Sequence, residues 1–415
     1  MTSPGLLEMP PEVQDRIFNN ISAHELWSDV RAVSSHFNDF LSADKYWETR
    51  LKTVCGLNTS KLERHHHSFD PVSKVLAVER EFQRWAREPN QTTPSDDFSA
   101  MECHEGTVDA VKLFSINGNQ FCVSGARDHK IALWDMDKLR KLRDGINAEG
   151  KNHPADPVIA VHGGAHDGWI WNFCVESRND DGVNLYSCGW DKSMRNWRIT
   201  PTGITELGVS VGEHAHLCLS ASGGQVFCGT MKGGIRVQDV RTNRIVHEST
   251  MHRGAVLDIA APPECDYVYT SSEDGTIAMH DRRTYKRVHA GRMPSGGYFQ
   301  SMSMYNDVLM AHSSKGWFTC MNRMNLKRII MPFTPSMENG KNRQILLKEG
   351  ILLVKGEREV QLFTTGKSPK LIGKTTRFDA VIAKMDYQEG VMALGSGTGE
   401  VLFYFANDAD SSPSE

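Results

Sequence analysis

Apolar and polar positions alternate in short runs over most of the chain, from about residue 96 onward. Examples are "FCVSGARDHKIALWD", "YSCGWDKSMRNWR" and "YTSSEDGTIAMHD". Alternation over a few residues is typical of half-buried β-strands, and the interruptions rich in Gly, Asp and Lys mark tight turns. The pattern therefore predicts an all-β region built from many short strands.

These runs repeat with a nearly constant spacing. An anchor position in the later run of each unit is occupied by Trp134, Trp197, Gln238, His280, Cys320, Phe363 and Tyr404, with gaps of 63, 41, 42, 40, 43 and 41 residues. Five of the gaps match the roughly 40 to 45 residues of a four-stranded WD-type propeller blade. The longer first gap contains a polar insertion, "LRKLRDGINAEGKNHPADP". Seven blades are therefore expected, with a loop inserted after the first.

Three of the units carry a His, a hydroxyl residue four positions before an Asp, and a Trp or His after it. The sets are His104, Ser124, Asp128 and Trp134; His166, Ser187, Asp191 and Trp197; and His252, Thr270, Asp274 and His280. They resemble the WD-repeat pattern, in which these side chains form a structural hydrogen-bonded network within a blade. The other four units have Lys232, Ser314, Glu357 and Thr398 at the Asp position, so their assignment depends on spacing and alternation alone.

The last unit lacks a fourth strand. After "EVLFYFA" only the acidic, turn-rich "NDADSSPSE" follows. An open ring would leave an unpaired strand edge. The segment "DDFSAMEC", residues 96–103, is therefore expected to supply the missing strand and close the ring.

The N-terminal region has helical rather than alternating periodicity. Its apolar residues are Val13, Ile17, Ile21, Leu26, Val30, Val33, Phe37, Leu41, Trp47 and Leu51. Pro10 and Pro11 suit a first helical turn, and Ser22 with Glu25 predicts a capping box. A further helix is predicted over "VSKVLAVEREFQRWARE", followed by a loop, "PNQTTPS". The expected divisions are a helical module at 1–57, a helical linker at 58–95, a propeller at 96–406 and a disordered acidic tail at 407–415.

The helical module resembles the F-box. The matching residues are Met9, Pro10, Glu12, Ile17, Ile21, Leu26, Val33, Ser34, Phe37, Asp44, Trp47 and Leu51, with Met9 departing from the usual Leu. The resemblance implies that the module docks on Skp1 and, through it, on a cullin-RING ubiquitin ligase. The expected Skp1-binding residues are Pro10, Glu12, Ile17, Ile21, Leu26 and Val30, some of which must instead fill the core of the bundle. A small helical cap on the propeller is the alternative.

One face of the propeller is predicted to bind the protein substrate. The positions just before the turn Asp are Arg127, Trp190, Met231, Glu273, Ser313, Gly356 and Gly397. The candidate substrate-face residues are Arg127, Trp169, Trp171, Trp190 and Lys232, although Trp171 can equally be a core indole between blades. Lys192, Lys232, Lys315 and Arg358 can add positive charge, so a phosphate pocket stays open as an alternative. It is disfavoured because only one of the seven positions is Arg.

Composition excludes several classes of function. The 415 residues include 47 Lys and Arg against 51 Asp and Glu, a formal net charge of −4, without long runs of either sign. We therefore expect no nucleic-acid or membrane partner. The nine cysteines form no Cys-x-x-Cys pair and are expected to be reduced core residues. Without a secretory signal, the protein is expected in the cytoplasm, with the nucleus possible.

No catalytic or cofactor motif accompanies this architecture. "GSGTGE" lies where the repeat requires a turn, and the three histidines of "ERHHHSFD" are interpreted as a solvated loop rather than a metal site. The leading hypothesis is a non-catalytic substrate receptor of a Skp1-cullin-F-box ubiquitin ligase. The alternative is a WD-repeat scaffold that uses its F-box to bind Skp1 without directing degradation. Within the F-box/WD-repeat family, the degenerate later blades favour the sparsely characterised type over the phosphodegron readers.

Overall fold

Seven β-sheets arranged as the blades of a propeller follow a set of N-terminal helices, which confirms the predicted fold class. The computed structural model describes residue 9 and the ranges 11–53, 70–85, 92–93, 99–143, 156–177, 181–263, 265–292, 297–305, 308–329, 335, 344–348, 350–365 and 369–406. The histidine-rich segment at 65–67 and the tail predicted at 407–415 lie outside the described residues. Within the described part, no helix is long and apolar enough to span a bilayer.

Seven helices precede the propeller in the described part, and an eighth lies within it. They are α1 (Pro11–Phe18), α2 (Ala23–Glu25), the π-helical α3 (Leu26–Val30), α4 (Arg31–Val33), α5 (Ser35–Leu41), α6 (Asp44–Thr53), α7 (Pro71–Trp85) and α8 (Met136–Arg143). The predicted capping box is present, since Ser22 and Glu25 exchange side-chain and backbone hydrogen bonds. Ser34 has an extended backbone and accepts a hydrogen bond from the Phe37 N–H, which ends α4 and starts α5.

Blades one to five are antiparallel sheets whose four strands follow one another in chain order outward from the channel, and blades six and seven each also include a strand from upstream of blade one. Two short strands precede the first complete blade, β1 (Thr92–Thr93) and β2 (Ser99–Glu102). Blades one to three contain β3 (Ala110–Ile116), β4 (Asn119–Gly125), β5 (Ile131–Asp135), β6 (Val158–His162), β7 (Ile170–Ser177), β8 (Val183–Gly189), β9 (Ser193–Thr200), β10 (Gly203–Val211), β11 (His216–Ser222), β12 (Gln225–Thr230), β13 (Gly234–Asp239) and β14 (Arg244–Thr250).

Blades four to seven continue in the same order. They contain β15 (Val256–Ala260), β16 (Tyr267–Ser272), β17 (Thr276–Asp281), β18 (Arg287–Arg292), β19 (Phe299–Tyr305), β20 (Val308–Ser313), β21 (Phe318–Asn322), β22 (Arg328–Ile329), β23 (Gln344–Lys348), β24 (Ile351–Lys355), β25 (Val360–Thr364), β26 (Leu371–Thr375), β27 (Ile382–Gln388), β28 (Val391–Ser396) and β29 (Glu400–Phe405).

The ring closes as predicted, through the strand upstream of blade one. β2 pairs antiparallel with β29, from Ser99 opposite Phe403 to Glu102 opposite Glu400, and becomes the fourth strand of blade seven. The loop expected at "PNQTTPS" is wrong in part, because β1 lies there and pairs in parallel with β26. This pairing makes a fifth strand on blade six and covers its outer edge.

Blade five is one residue out of register with the predicted repeat. The Gly316 N–H donates to the carbonyl of Ser313, as Gly275 does to Ser272 in blade four. Lys315, rather than Ser314, therefore occupies the position of the turn Asp. Met321, rather than Cys320, takes the Trp position: Met321 packs against blade four, and Cys320 faces the other way because successive strand side chains alternate.

The insertion lies within blade one, between β5 and β6, and begins with a helix, α8, where a polar loop was expected. Asp135 caps this helix by accepting hydrogen bonds from the Asp137 and Lys138 backbone. Met136 and Leu139 are fully buried, in the core shared by blades one and seven. The insertion thus adds packing at the seam where the ring closes.

Polar side chains on the innermost strands join neighbouring blades. The Asp386 carboxylate accepts the Leu113 N–H at 2.9 Å, and Asp258 accepts the Met302 N–H at 2.8 Å. Ser303 accepts the Leu347 N–H at 2.8 Å in the same way. These bonds satisfy backbone donors that face the channel and fix the angle between adjacent blades.

Candidate interaction surfaces

The N-terminal helices form one small core around aromatic side chains. Phe18, Trp47 and Leu51 are fully buried, and the Trp47 indole donates to the Leu41 carbonyl at 2.6 Å. Valines of α7 complete the core, so this helix belongs to the module as well as to the linker. A bundle of this size gains stability from the extra apolar surface that α7 covers.

A buried ion pair fastens the helical module to α7. The Arg50 guanidinium donates from Nε and Nη2 to the two oxygens of the Glu79 carboxylate, at 2.7 and 3.0 Å. Arg50 also donates to the carbonyls of Phe18 and Ile21, and Glu79 accepts the Ala23 N–H. Burial alone lowers the pKa of Arg50, but the hydrogen bond and the charge of Glu79 outweigh it and raise that pKa. The pair and its hydrogen bonds therefore connect α6 and α7 to the end of α1 and the start of α2.

The structure divides the predicted Skp1-binding residues between surface and core. Ile17, Ile21 and Val30 are half-buried on the helical module, whereas Leu26 is fully buried in its core and cannot reach a partner. The structure does not describe Pro10 or the Glu12 side chain. Val13 and Val33, which were absent from the predicted set, are 39% and 75% exposed. Both residues lie on the apolar helical pattern of the N-terminal sequence, and this pattern was the signal that could have identified them as surface candidates.

The linker helix is held against the propeller by aromatic and polar contacts at its C-terminal end. The Trp85 ring stacks on Tyr404 with centroids 4.9 Å apart, and its N–H donates to the Tyr387 hydroxyl at 3.0 Å. That hydroxyl in turn donates to Glu81, which is 3% exposed. Val78 lies against Gly350, in the turn between β23 and β24. The helix thus contacts the ends of blades six and seven opposite their β24–β25 and β28–β29 turns.

The three WD-type sets form the hydrogen-bonded networks that the resemblance implied. In blades one and two, Trp134 and Trp197 donate to Ser124 and Ser187, both at 2.8 Å. The distances from His Nε2 to the hydroxyl and from His Nδ1 to Asp are 2.8 and 3.1 Å in blade one, 2.6 and 2.9 Å in blade two, and 2.7 and 3.0 Å in blade four. In blade four His280 replaces the indole, at 3.0 Å from Thr270.

Burial shifts the pKa values of several side chains in these networks. Burial lowers the pKa of His104 and of His252, and it lowers the pKa of His280 to about 4. Burial would raise the pKa of Asp191, but the hydrogen bond and charge of His166 and the hydrogen bonds from Ser193 outweigh it and hold that pKa below its usual range. The buried side chains of the networks fix the blade turns.

The predicted substrate-face residues of blades one and two lie in contact with one another. The Arg127 guanidinium lies over the Trp169 ring at 4.3 Å, and Trp190 packs edge-on against both Trp169 and Trp171, with centroids 5.9 and 5.8 Å apart. Trp169 and Trp190 are 40% and 38% exposed, while Trp171 is half-buried. We call Trp169, Trp171 and Trp190 the indole cluster.

Arg127 does not stand alone on this face. Its Nε donates to Asp109 at 2.7 Å, and a second contact joins Nη2 to the other carboxylate oxygen at 3.4 Å. Lys232 is exposed in the turn of blade three, beside Met231, which is 44% exposed. Sequence reasoning missed the partner Asp109, which lies 18 positions before Arg127.

Metal and cysteine chemistry receives no support within the described ranges. They contain no group of three or more His, Cys, Asp or Glu side chains that could hold a metal ion. Cys122, Cys174 and Cys188 are buried, and burial raises their thiol pKa values far above the usual range. Such thiols are core residues rather than nucleophiles.

Comparisons with known proteins match the repeats and include proteins named for an F-box and WD repeats. The WD domain, G-beta repeat family matches residues 97–135 and 243–281, in the regions of blades one and four. The F-box/WD repeat-containing protein mec-15 of Caenorhabditis elegans is 28% identical over 410 residues, which cover 96% of this chain and 95% of that protein. Human F-box/WD repeat-containing protein 9 is 24% identical over 76% of this chain, which spans 64% of the human protein.

Proposed function

From the premise that the chain is of the F-box/WD-repeat type, as its modules and its relatives indicate, we propose that it is the substrate-recognition subunit of a Skp1-cullin-F-box ubiquitin ligase. In this role the helical module binds Skp1 and the propeller binds the target protein. The subunit itself is non-catalytic. We place it in the cytoplasm or the nucleus, where these ligases act.

One observation carries the proposal: the small helical module exposes apolar side chains. Val13 and Val33 are exposed, and Ile17, Ile21 and Val30 are only partly covered. Exposed apolar residues on so small a module are typical of a surface that a partner covers.

The physical role of such a receptor is proximity. A bound target is held near a ubiquitin-charged enzyme, so the effective concentration of its lysines rises without any bond being made by the receptor. A rigid connection serves this role because a flexible one would dilute the target over a larger volume. The Arg50–Glu79 pair joins α7 to the helical module, and the Trp85 contacts join its C-terminal end to the propeller, which together provide such a connection.

The test is affinity capture of the full-length chain, followed by mass spectrometry. The wild type should retain Skp1 and a cullin, and Pro10→Ala combined with Ile17→Ala should lose both. Val246→Ala, at a 49% exposed apolar position on the outer strand of blade three, is the matched control and should retain them. A wild type that retains neither Skp1 nor cullin would refute the ligase proposal.

Protein abundance separates the receptor from a non-degradative scaffold. Targets should be captured by wild type and by the Skp1-binding variant alike, but should accumulate in cells only with the variant. Unchanged abundance would favour the scaffold. Arg127→Glu combined with Trp190→Ala should lose the targets and keep Skp1; retained targets would mean that another surface binds them.

A further inference from the structure

Arg127, the one Arg among the seven positions before the turn Asp, is already paired with a carboxylate. Asp109 accepts the Nε of Arg127 at 2.7 Å and approaches its Nη2 at 3.4 Å, while the flat face of the guanidinium covers Trp169 at 4.3 Å. The Asp109 side chain is only 10% exposed, so this pair is partly shielded from water. A phosphate bound at the remaining edge of the guanidinium would lie beside this carboxylate, whose charge already compensates that of Arg127.

The charges around Arg127 do not favour an anion either. Glu105 is 83% exposed and precedes Gly106, which lies against Arg127. Asp167 is 91% exposed, with Arg195 at 3.8 Å, and Glu273 is exposed at the corresponding position of blade four. Lys130 is paired with Glu105 at 3.0 Å. Exposed Lys192 and Lys232 lie on separate blades. A phosphorylated segment would bring its two negative charges next to Asp109, where repulsion opposes binding.

The surface beside the pair offers apolar area instead. Trp169 and Trp190 are 40% and 38% exposed, and Met231 on the next blade is 44% exposed. The edge-on contacts within the indole cluster, together with the Arg127 stack, hold the rings in place before any partner arrives. Rigid indoles bind with little loss of conformational entropy, which is why they serve as binding hot spots.

We infer that the indole cluster binds an unphosphorylated protein segment through a bulky apolar anchor side chain, and that Asp109 sets this preference by neutralising Arg127. That the bound segment belongs to a ligase target rests on the proposed function, whereas its binding to the indole cluster does not require Skp1. Asp109 acts as a specificity-determining residue, since it excludes an anionic ligand as well as supporting the arginine that orders Trp169.

Two synthetic peptide pools test the inference with the full-length protein. Both have a central serine flanked by four randomised positions on each side, and in one pool that serine is phosphorylated. The wild type should retain members of the unphosphorylated pool that carry a large aromatic or aliphatic residue. Individual selected peptides should bind about 30-fold more weakly to Trp190→Ala, as expected for loss of a hot-spot anchor. Val288→Ala, a 44% exposed apolar position on the outer strand of blade four, should bind unchanged.

Asp109→Asn provides the decisive comparison. With the carboxylate replaced by a neutral amide, the charge of Arg127 is no longer compensated, so this variant should retain the phosphorylated pool at least several-fold better than wild type, and inorganic phosphate should compete. Asp109→Ser serves the same purpose if the first variant does not fold. Enrichment of phosphorylated peptides by wild type, retention of neither pool, or unchanged binding by Trp190→Ala would each overturn the inference. Skp1 capture is measured on the same variants, so a failure of the proposed function is seen separately.

Discussion

Replacing Arg50 by Met should release the helical module from the linker helix without unfolding the propeller. Arg50 is 2% exposed and donates to both Glu79 oxygens, to the carbonyls of Phe18 and Ile21, and to the Tyr46 hydroxyl. Met fills a similar volume but supplies none of these donors. The variant therefore leaves the Glu79 charge buried without a counter-ion.

The expected cost is large for a module of this size. Removing one partner of a buried ion pair costs about 3–5 kcal/mol, chiefly because the remaining charge has lost its compensation. Arg50→Lys should fall between wild type and Arg50→Met, since one ammonium group cannot reach the carboxylate and both carbonyls at once. Combining Arg50→Met with Glu79→Leu should cost less than the sum of the single changes, because no isolated charge remains.

Native-state hydrogen exchange read by mass spectrometry measures this effect locally. Amides of α1, α5 and α6 should exchange faster in Arg50→Met by a factor that corresponds to about 3–5 kcal/mol, while β7–β9 of blade two keep their protection. Arg283→Met is the control, since its pair with Asp266 is 83% and 73% exposed and should contribute nothing measurable. Unchanged helix protection, or equal loss across the propeller, would refute the reasoning.

Three further predictions concern the propeller. Asp128→Ala should lower the free energy of unfolding, measured in urea, by about 2–3 kcal/mol, because His104 and two backbone donors lose their acceptor. Lys232→Ala, at the same position of blade three, is the control and should be neutral; equal effects of the two changes would contradict a stabilising role of the network. Burial lowers the pKa of His216 and of His280 to about 4, below the value near 6.5 in the unfolded chain. The contribution of these neutral side chains to the free energy of unfolding should therefore be complete above about pH 6.5 and decrease towards pH 4. A melting temperature independent of pH in that range would contradict this. Trp85→Ala should speed exchange in the C-terminal half of α7 while the remote blade-three strands β11–β13 stay protected, and unchanged exchange in α7 would show that its stacking on Tyr404 is not what holds the helix.

The sequence predicts the repeats well because each blade restates the same local pattern. Alternation, turn residues and the His, Ser, Asp and Trp set all lie within about 30 residues of one another, so they are visible without knowledge of the fold. The N-terminal capping box at Ser22 and Glu25 is equally local. The ring-closing strand β2 could be predicted although it is distant in sequence from blade seven, because without it the edge of that blade would be unpaired.

The features that sequence reasoning missed are pairings between distant or chemically ordinary residues. Arg50 and Glu79 lie 29 positions apart, on helices separated by a segment without periodicity, and either side chain alone is typical of a solvated face. Asp109 stands in a loop before β3 with nothing to mark it as a partner of Arg127. The one-residue error in blade five has a different cause. Consecutive residues of β20 and β21 are buried, so in a blade without the Asp and Trp the apolar pattern did not fix the alignment.

α7 connects the helical module to the propeller on the side away from the indole cluster. The indole cluster lies by the turns that join the second and third strands, whereas α7 contacts the opposite turns, at Gly350 and Gly390. In the proposed function, a target on the indole cluster therefore leaves the helical module free for a partner, and the two can be bound together. The buried Glu79 fastens α7 to the module, and the buried Glu81 fastens it to the propeller. Since these groups lie only two positions apart on one helix, the orientation of the proposed target to its partner is set by packing rather than by a flexible tether.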